Sequence, residues 1–325
     1  MIFKVRQQGQ NAPAESIANK DSKMDLHKEG TLMKAYYARF KEAVVGYLFL
    51  TPNIFGFIIF TVFPVIGSLL ISFSDWNLIN QPSPNGLANY QELLTDSIYW
   101  QSMTNTAIYS FVSVFLNIFL ALFLAMLLNN KIRYIGIFRS AYFLPVVYSS
   151  VAIALIWQWL FDYQMGLLNQ ILHWFKLSPV PWINSPQWAL VSVILVAVWK
   201  TVGYNMVIFL AALQGVPSEL YEVAKIDGAN VWKTFWNVTW PIISPSTFFV
   251  TVTSIISSFQ VFDLTTVLTG GGPANATNTI VMLVYQHAFQ FFRMGYASAI
   301  AYTLFGIVLI FTVLQTLMSK RWVHY

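Results

Sequence analysis

A chain of 325 residues that is 57% hydrophobic and only 10% charged, with a mean hydropathy of +0.58, is not a water-soluble globule. Soluble domains carry about 25% charged residues, so the surplus apolar surface here must face lipid. The absence of cysteine excludes disulfides, thiol catalysis and thiolate metal sites, and His27, His173, His287 and His324 are too scattered to form a ligand cluster. The net charge of +5 would suit nucleic acid, but the placement of the basic residues gives another reason for it.

Residues 1–43 form a polar tail, and the first 25 lack the apolar stretch of a cleaved secretory signal. Leu32, Tyr36 and Phe40 recur every four residues with Lys34 and Lys41 between them. That pattern suits an interfacial helix lying in the inner leaflet, and equally a plain cytoplasmic helix. A helix needs about 20 apolar residues to cross the ~30 Å hydrocarbon layer. Six segments qualify: Val44–Phe73, Thr106–Leu128, Ala141–Phe161, Trp188–Leu213, Ile242–Phe262 and Gly295–Met318. Residues 44–318 are thus a six-span domain, and 319–325 a short C-terminal tail. The first span carries Pro64, which favours a kink or tilt.

An even number of spans leaves both termini on one side, and lysine and arginine mark which side. Eight lie in the N-terminal tail, and Lys131, Arg133 and Arg139 follow span two. Lys225 and Lys233 follow span four, and Lys320 and Arg321 close the chain. Fifteen of the 18 basic residues therefore share one side; Lys176 and Arg293 lie on the other, and Lys200 lies within span four. This places both termini in the cytoplasm and accounts for the basic pI without nucleic acid. The external connections, roughly 74–105, 162–187 and 263–294, are rich in Pro, Gly, Asn and Trp. They are too short for an independent domain and long enough to cap a cavity or meet a partner. Within the last, Gly270-Gly271-Gly272-Pro273 lacks the Lys-Ser/Thr of a phosphate cradle and reads as a flexible external loop.

The connection 215–241 is the most informative. Pro217 and Glu219 suit a helix start, because proline there loses no intrahelical bond and an acid complements the positive end. Leu220, Val223 and Ala224 follow at helical spacing, and Gly228 permits a left-handed turn. A second short helix is expected through Val231, Trp232, Phe235 and Trp236, with Pro241 restarting the chain as span five. Its apolar side chains would lie in headgroups or dock a cytoplasmic protein.

Glu222-Val223-Ala224, Gly228 four residues after Ala224, then Val238, Trp240 and Pro241 resemble a loop of the permease subunits of binding-protein-dependent ABC importers. That loop reads Glu-Ala-Ala, three residues, Gly, nine residues, Ile-x-Leu-Pro; here Val223, Val238 and Trp240 depart from it and stay apolar. The stretch 210–222, the run Ile226-Asp227-Gly228-Ala229 and the segment 268–273 with Thr279 look like the carbohydrate-uptake branch of the maltose and glycerol-phosphate type. The likeness runs from about Leu48 to the C-terminus and extends to alginate-oligosaccharide permeases.

The resemblance implies an all-α integral membrane protein of the type I importer permease fold, with six core spans and an N-terminal interfacial segment. It implies a bacterial inner-membrane location, a second and often non-identical permease, two ATPases that hold ATP and Mg, and an external solute-binding protein that delivers a sugar or oligosaccharide. This chain would itself be no enzyme and bind no cofactor. The loop would be a coupling helix seated on the ATPase, with Glu222, Ala224, Asp227, Gly228, Trp232 and Pro241 as its residues. In the spans, Lys200 is a costly mid-membrane charge, about 2.5–3.5 kcal/mol on insertion scales, that must face protein or water. It either pairs with a neighbouring carboxylate or carbonyl, or lines a sugar path with Tyr204 and Asn205. Ser257, Gln260 and Asp263 suit a polar sugar site at the outer end of span five, although Asp263 also suits a helix terminus. Phe259 and Phe262 either stack on sugar rings or pack, and Trp157 and Trp159 suit an interface belt. A secondary transporter usually places acids or broken helices at the midplane, and Lys200 is the one clear charge there. No catalytic constellation supports a membrane-embedded enzyme.

Overall fold

A computed structural model describes residues 40–129 and 134–323. The tail helix around Leu32 and Tyr36, and the basic residues Lys131 and Arg133, lie outside the described residues. The chain divides into two units, residues 1–67 and 68–325. Among the described residues, five helices are long and apolar enough to cross a membrane: α1 (Phe40–Ser72), α3 (Ser97–Leu128), α7 (Pro186–Gln214), α9 (Val231–Phe259) and α12 (Met294–Ser319). In α1 a π turn, Ile58–Val62, precedes Pro64. A turn that bonds five residues back lets the helix pass a proline ring without breaking.

In the second unit a two-stranded hairpin, β1 (Ser74–Asp75) and β2 (Ser83–Pro84), pairs Ser74 with Pro84 and leads into α2 (Ala88–Thr95). Asp96 then caps α3, accepting from the N–H groups of Ile98 and Tyr99. The axis of the unit is α3. Its residues Ser102, Thr106, Ser110, Ser113, Asn117, Ala121 and Ala125, spaced by three or four, are all buried. Such a stripe of small side chains lets neighbouring helices approach closely where lipid supplies no hydrophobic drive between them. Around it lie three buried clusters. Tyr109, Ile153, Phe161, Val193 and Leu268 form one; Ala121, Ala125, Met206, Phe209 and Ile243 the second. Val114, Phe259, Ile280, Tyr296 and Ile300 form the third.

The expected third span is not one straight helix. It consists of α4 (Ile135–Val147) and α5 (Ser150–Leu160), bent by 100° at Tyr148 and Ser149. Those two residues have extended backbone, with ψ of 148° and 135°, and Pro145 has already removed one helical N–H just before them. The second unit packs α4 tightly on α7: a Cβ on Gly203 would lie 1.9 Å from the Tyr142 carbonyl oxygen.

The unit is closed between its beginning and its end. Arg293, just before α12, pairs with Glu92 of α2 at 2.5 Å, and the Tyr296 hydroxyl donates to Asp96 at 2.7 Å. A Cβ on Gly295 would fall 1.9 Å from the Ser74 carbonyl oxygen, and the Met294 N–H donates to Trp76 O. Between α9 and α12 lie α10 (Asp263–Thr269) and α11 (Ile280–Tyr285), joined by the glycine-rich segment. This segment is fastened rather than loose. Gln101 donates to Ala274 O at 3.0 Å, Asn105 to Asn275 O and Asn278 O at 2.7 and 3.0 Å, and the Ile280 N–H to Thr106 at 3.0 Å. Thr277, Asn278 and Thr279 are buried. Three consecutive glycines suggested freedom; the amides and hydroxyl on α3 remove it.

Candidate functional sites: a polar cavity and a capped loop helix

The helix α8 (Ser218–Ile226) begins after Pro217 and carries Glu219 in its first turn. Its C-terminus is a complete Schellman motif. Gly228 has φ +70°, its N–H donates to Lys225 O at 3.2 Å, and the Ala229 N–H donates to Ala224 O at 2.9 Å. Asp227 is the C-cap. The Asn230 side chain then caps the next helix by accepting from the Lys233 N–H at 2.9 Å. Ala224 is the one buried residue of α8. Glu222 and Asp227 point outward, and Val223, Ile226, Val231 and Trp232 form an exposed apolar face; Ile226 is 85% and Trp232 71% exposed. The Tyr221 hydroxyl meets Thr239 at 3.2 Å and holds α8 to α9.

No separate second helix precedes span five. From Val231 the chain runs unbroken to Phe259, through a π turn at Phe235–Thr239. The Trp240 N–H donates to Phe235 O, five residues back, so Pro241 enters the first turn of the following α-helical segment without costing an intrahelical bond. Pro241 marks a change of helical register rather than a restart.

Between α3, α7 and α9 lies a cavity of about 180 Å³. Tyr109, Ser113 and Asn117 of α3, Thr201, Tyr204 and Asn205 of α7, and Thr253, Ser254, Ser257 and Ser258 of α9 line it, with no charged side chain among its walls. Asn117 and Asn205 hold the floor. Asn205 Nδ2 donates to Asn117 Oδ1 at 2.6 Å and to Ser254 at 3.1 Å, while Asn117 Nδ2 donates to Thr201 at 2.7 Å. Away from water each such bond is costly to break. The cavity can hydrogen-bond hydroxyl groups from three helices.

Of the six candidate pathway residues, the cavity brings together Tyr204, Asn205 and Ser257. Lys200 is not on its wall. It faces the α4–α5 break, where its Nζ bonds to Ser150 Oγ, and the charge of Asp263 acts on it. Gln260 is the exposed C-cap of α9, and Asp263 stands in the first turn of α10. Phe259 is buried against Phe111 and Phe311, and Phe262 meets Tyr285. Trp157 packs on Phe161 and Trp199, whereas Trp159 is exposed. Sequence reasoning missed Asn117, Ser113 and Ser254; hydroxyl and amide side chains at helical spacing inside apolar spans are the signal that finds them.

A second polar group closes the α2 end. His287 lies against the Tyr296 ring with centroids 4.7 Å apart, and the Arg293 guanidinium carbon stands 4.7 Å from the centroid of the same ring. Burial, then the charge of Arg293, pushes the His287 imidazole below its ordinary value. The hydrogen bond to Glu92 raises the Arg293 guanidinium.

A helical membrane bundle with a charge-free polar cavity and a projecting loop of one capped helix joined to a span has the build of a transport permease. The chain belongs to the family of binding-protein-dependent transport system inner membrane components, whose pattern matches residues 117–324. It is 38% identical over 290 residues to the probable ABC transporter permease protein YesP of Bacillus subtilis, covering 88% of this chain and 93% of that one. It is 34% identical over 283 residues to the trehalose/maltose transport system permease protein MalF of Thermococcus litoralis, covering 87% and 96%. With the lactose transport system permease protein LacF of Rhizobium radiobacter it shares 36% over 296 residues, covering 89% and 97%. The fold is that of a chain in the solved structure of a bacterial ABC transporter that imports the acidic polysaccharide alginate. The TM-score is 0.77 at 24% identity, over 88% of this chain and 98% of that one.

Proposed function

We propose that this chain is the permease subunit of an ATP-driven importer for a sugar or oligosaccharide delivered by an external binding protein. The observation that carries the reading is the rigid loop: a capped helix, a left-handed glycine and an exposed apolar face, joined directly to a span. Such a face needs a cover, and a groove on a cytoplasmic ATPase fits it. Closure of two ATPases around ATP and Mg would draw two such loops together. Because α9 continues from the loop without a break, the motion passes into the walls of the cavity. In this reading both termini are cytoplasmic and a second permease supplies the other half of the path.

The relatives named for trehalose/maltose and lactose support a saccharide. The cavity wall is all hydroxyl, amide and apolar groups, which favours a neutral sugar over a uronate. Lys200, the residue that would attract an acid, is turned to Ser150. The α4–α5 break is the one feature shared with an ion-gradient transporter, and Ser150 and Lys200 stand at it rather than a carboxylate pair. The test is uptake by cells carrying the intact transporter, with neutral and uronate oligosaccharides compared, and with and without the binding protein. Uptake that needs the binding protein and ATP and prefers neutral sugars is expected. Uptake independent of both would overturn the reading, and preference for the uronate would overturn its neutral-sugar part.

A further inference from the structure

We infer that the C-terminal turn of this chain is a positioning element for the coupling loop, acting through the stack of Trp322 on Trp240. The inference rests on the coupling reading above. The π turn gathers Phe235, Trp236 and Trp240, with ring centroids 5.2 Å apart for the first pair and 5.5 Å for the second. Trp240 then stacks on Trp322, centroids 6.2 Å apart and planes 22° from parallel. Phe248, about two turns further along α9, meets the same indole edge-on at 6.3 Å. Trp322 is not on a loose tail: its N–H and that of Val323 both return to Ser319 O, at 3.1 and 2.8 Å.

The consequence is mechanical. Tyr221 and Thr239 tie α8 to the π turn, and the stack ties that turn to the end of α12. At the far end α9 and α12 already share a buried cluster through Ile255, Phe259 and Ile300. With Trp322 in place, a displacement of α8 moves α9 and α12 as one body. Without it, the start of α9 can move while α12 stays behind, and part of the stroke never reaches the cavity.

The chain has no native cysteine, so spin labels at Glu219→Cys, exposed in the first turn of α8 and outside its apolar face, and at Lys320→Cys report the separation of loop and tail in the assembled transporter. Trp322→Ala is expected to broaden that distance distribution. It should also lower uptake per ATP hydrolysed by about two- to tenfold, the worth of one aromatic pair, with membrane abundance and ATPase retention unchanged. Trp322→Phe should restore both, and Trp322→Ala should add nothing in a Trp240→Leu background. Unchanged distances and an unchanged ratio, additive effects, or loss of abundance in step with uptake would each overturn the inference. Gly228→Val separates it from the reading beneath. If that variant uncouples while Trp322→Ala is silent, the stack alone fails; if both are silent, the coupling loop itself fails.

Discussion

Replacing Gly228 isolates a conformational cost. A Cβ built there meets nothing within 4 Å, so no substituent clashes. What remains is φ of +70°, a region in which an L-residue loses roughly 1–2 kcal/mol, with a β-branched side chain near the upper end. At 1.4 kcal/mol per decade, a cost of about 2 kcal/mol for valine lowers the ratio of native to non-native turn by about 30-fold. The two Schellman bonds go with it, so Ile226 and Trp232 no longer present one surface. Asparagine visits the left-handed region at small cost. Gly228→Val should therefore abolish most uptake and weaken retention of the ATPase, while membrane abundance stays normal; Gly228→Asn should behave nearly as wild type. Uptake, copurified ATPase and abundance measured together decide it. Normal transport by the valine variant, or equal defects in both, would refute the role given to the turn.

Ala274, exposed in the glycine-rich segment, should react as Ala274→Cys with an impermeant maleimide in intact spheroplasts, whereas Gly215→Cys should be protected; the reverse pattern inverts the orientation. Lys200→Gln removes the cationic partner of Ser150 at the α4–α5 break, so abundance and uptake should fall together. Lost uptake at full abundance would return Lys200 to the substrate path. His287 is held below its ordinary value of 6.5 by burial and Arg293, so as pH falls through and below 6.5 the unfolded chain takes a proton that the folded chain resists. The stability owed to the neutral ring is complete above that value and is lost on acidification. Thermal midpoints measured from about pH 7.5 to about pH 5 should drop less in His287→Phe than in wild type, and equal slopes would remove His287 from the acid response.

The spans and the first loop helix were legible because each rests on a local rule: apolar length, a proline start, a glycine stop. The sharp break at Tyr148 was not, since apolar residues continue through it and Pro145 alone does not say whether a helix kinks or ends. Pro241 misled in the opposite direction. Its lost N–H was absorbed by a π turn, which needs a pattern of hydrogen bonds that composition does not record. Lys200 and Tyr204 are four apart and were expected on one wall. The α4–α5 break supplies Ser150 beside Lys200, while Tyr204 turns to the cavity. The fastening of Gly270–Thr279 depends on Gln101, Asn105 and Thr106, some 170 residues away in sequence, and no short-range signal announces such a partner.

The bonds from Arg293 to Glu92 and from Tyr296 to Asp96 join residues 201 and 200 positions apart. A ribosome delivers Glu92 and Asp96 long before it delivers their partners. The first connection of the second unit therefore stays unfinished through synthesis of every span but the last: Asp96 can cap α3 at once, but its second oxygen and Glu92 wait for their partners. Completion of α12 is then the step that closes the unit, and a chain cut short before Arg293 lacks both bonds.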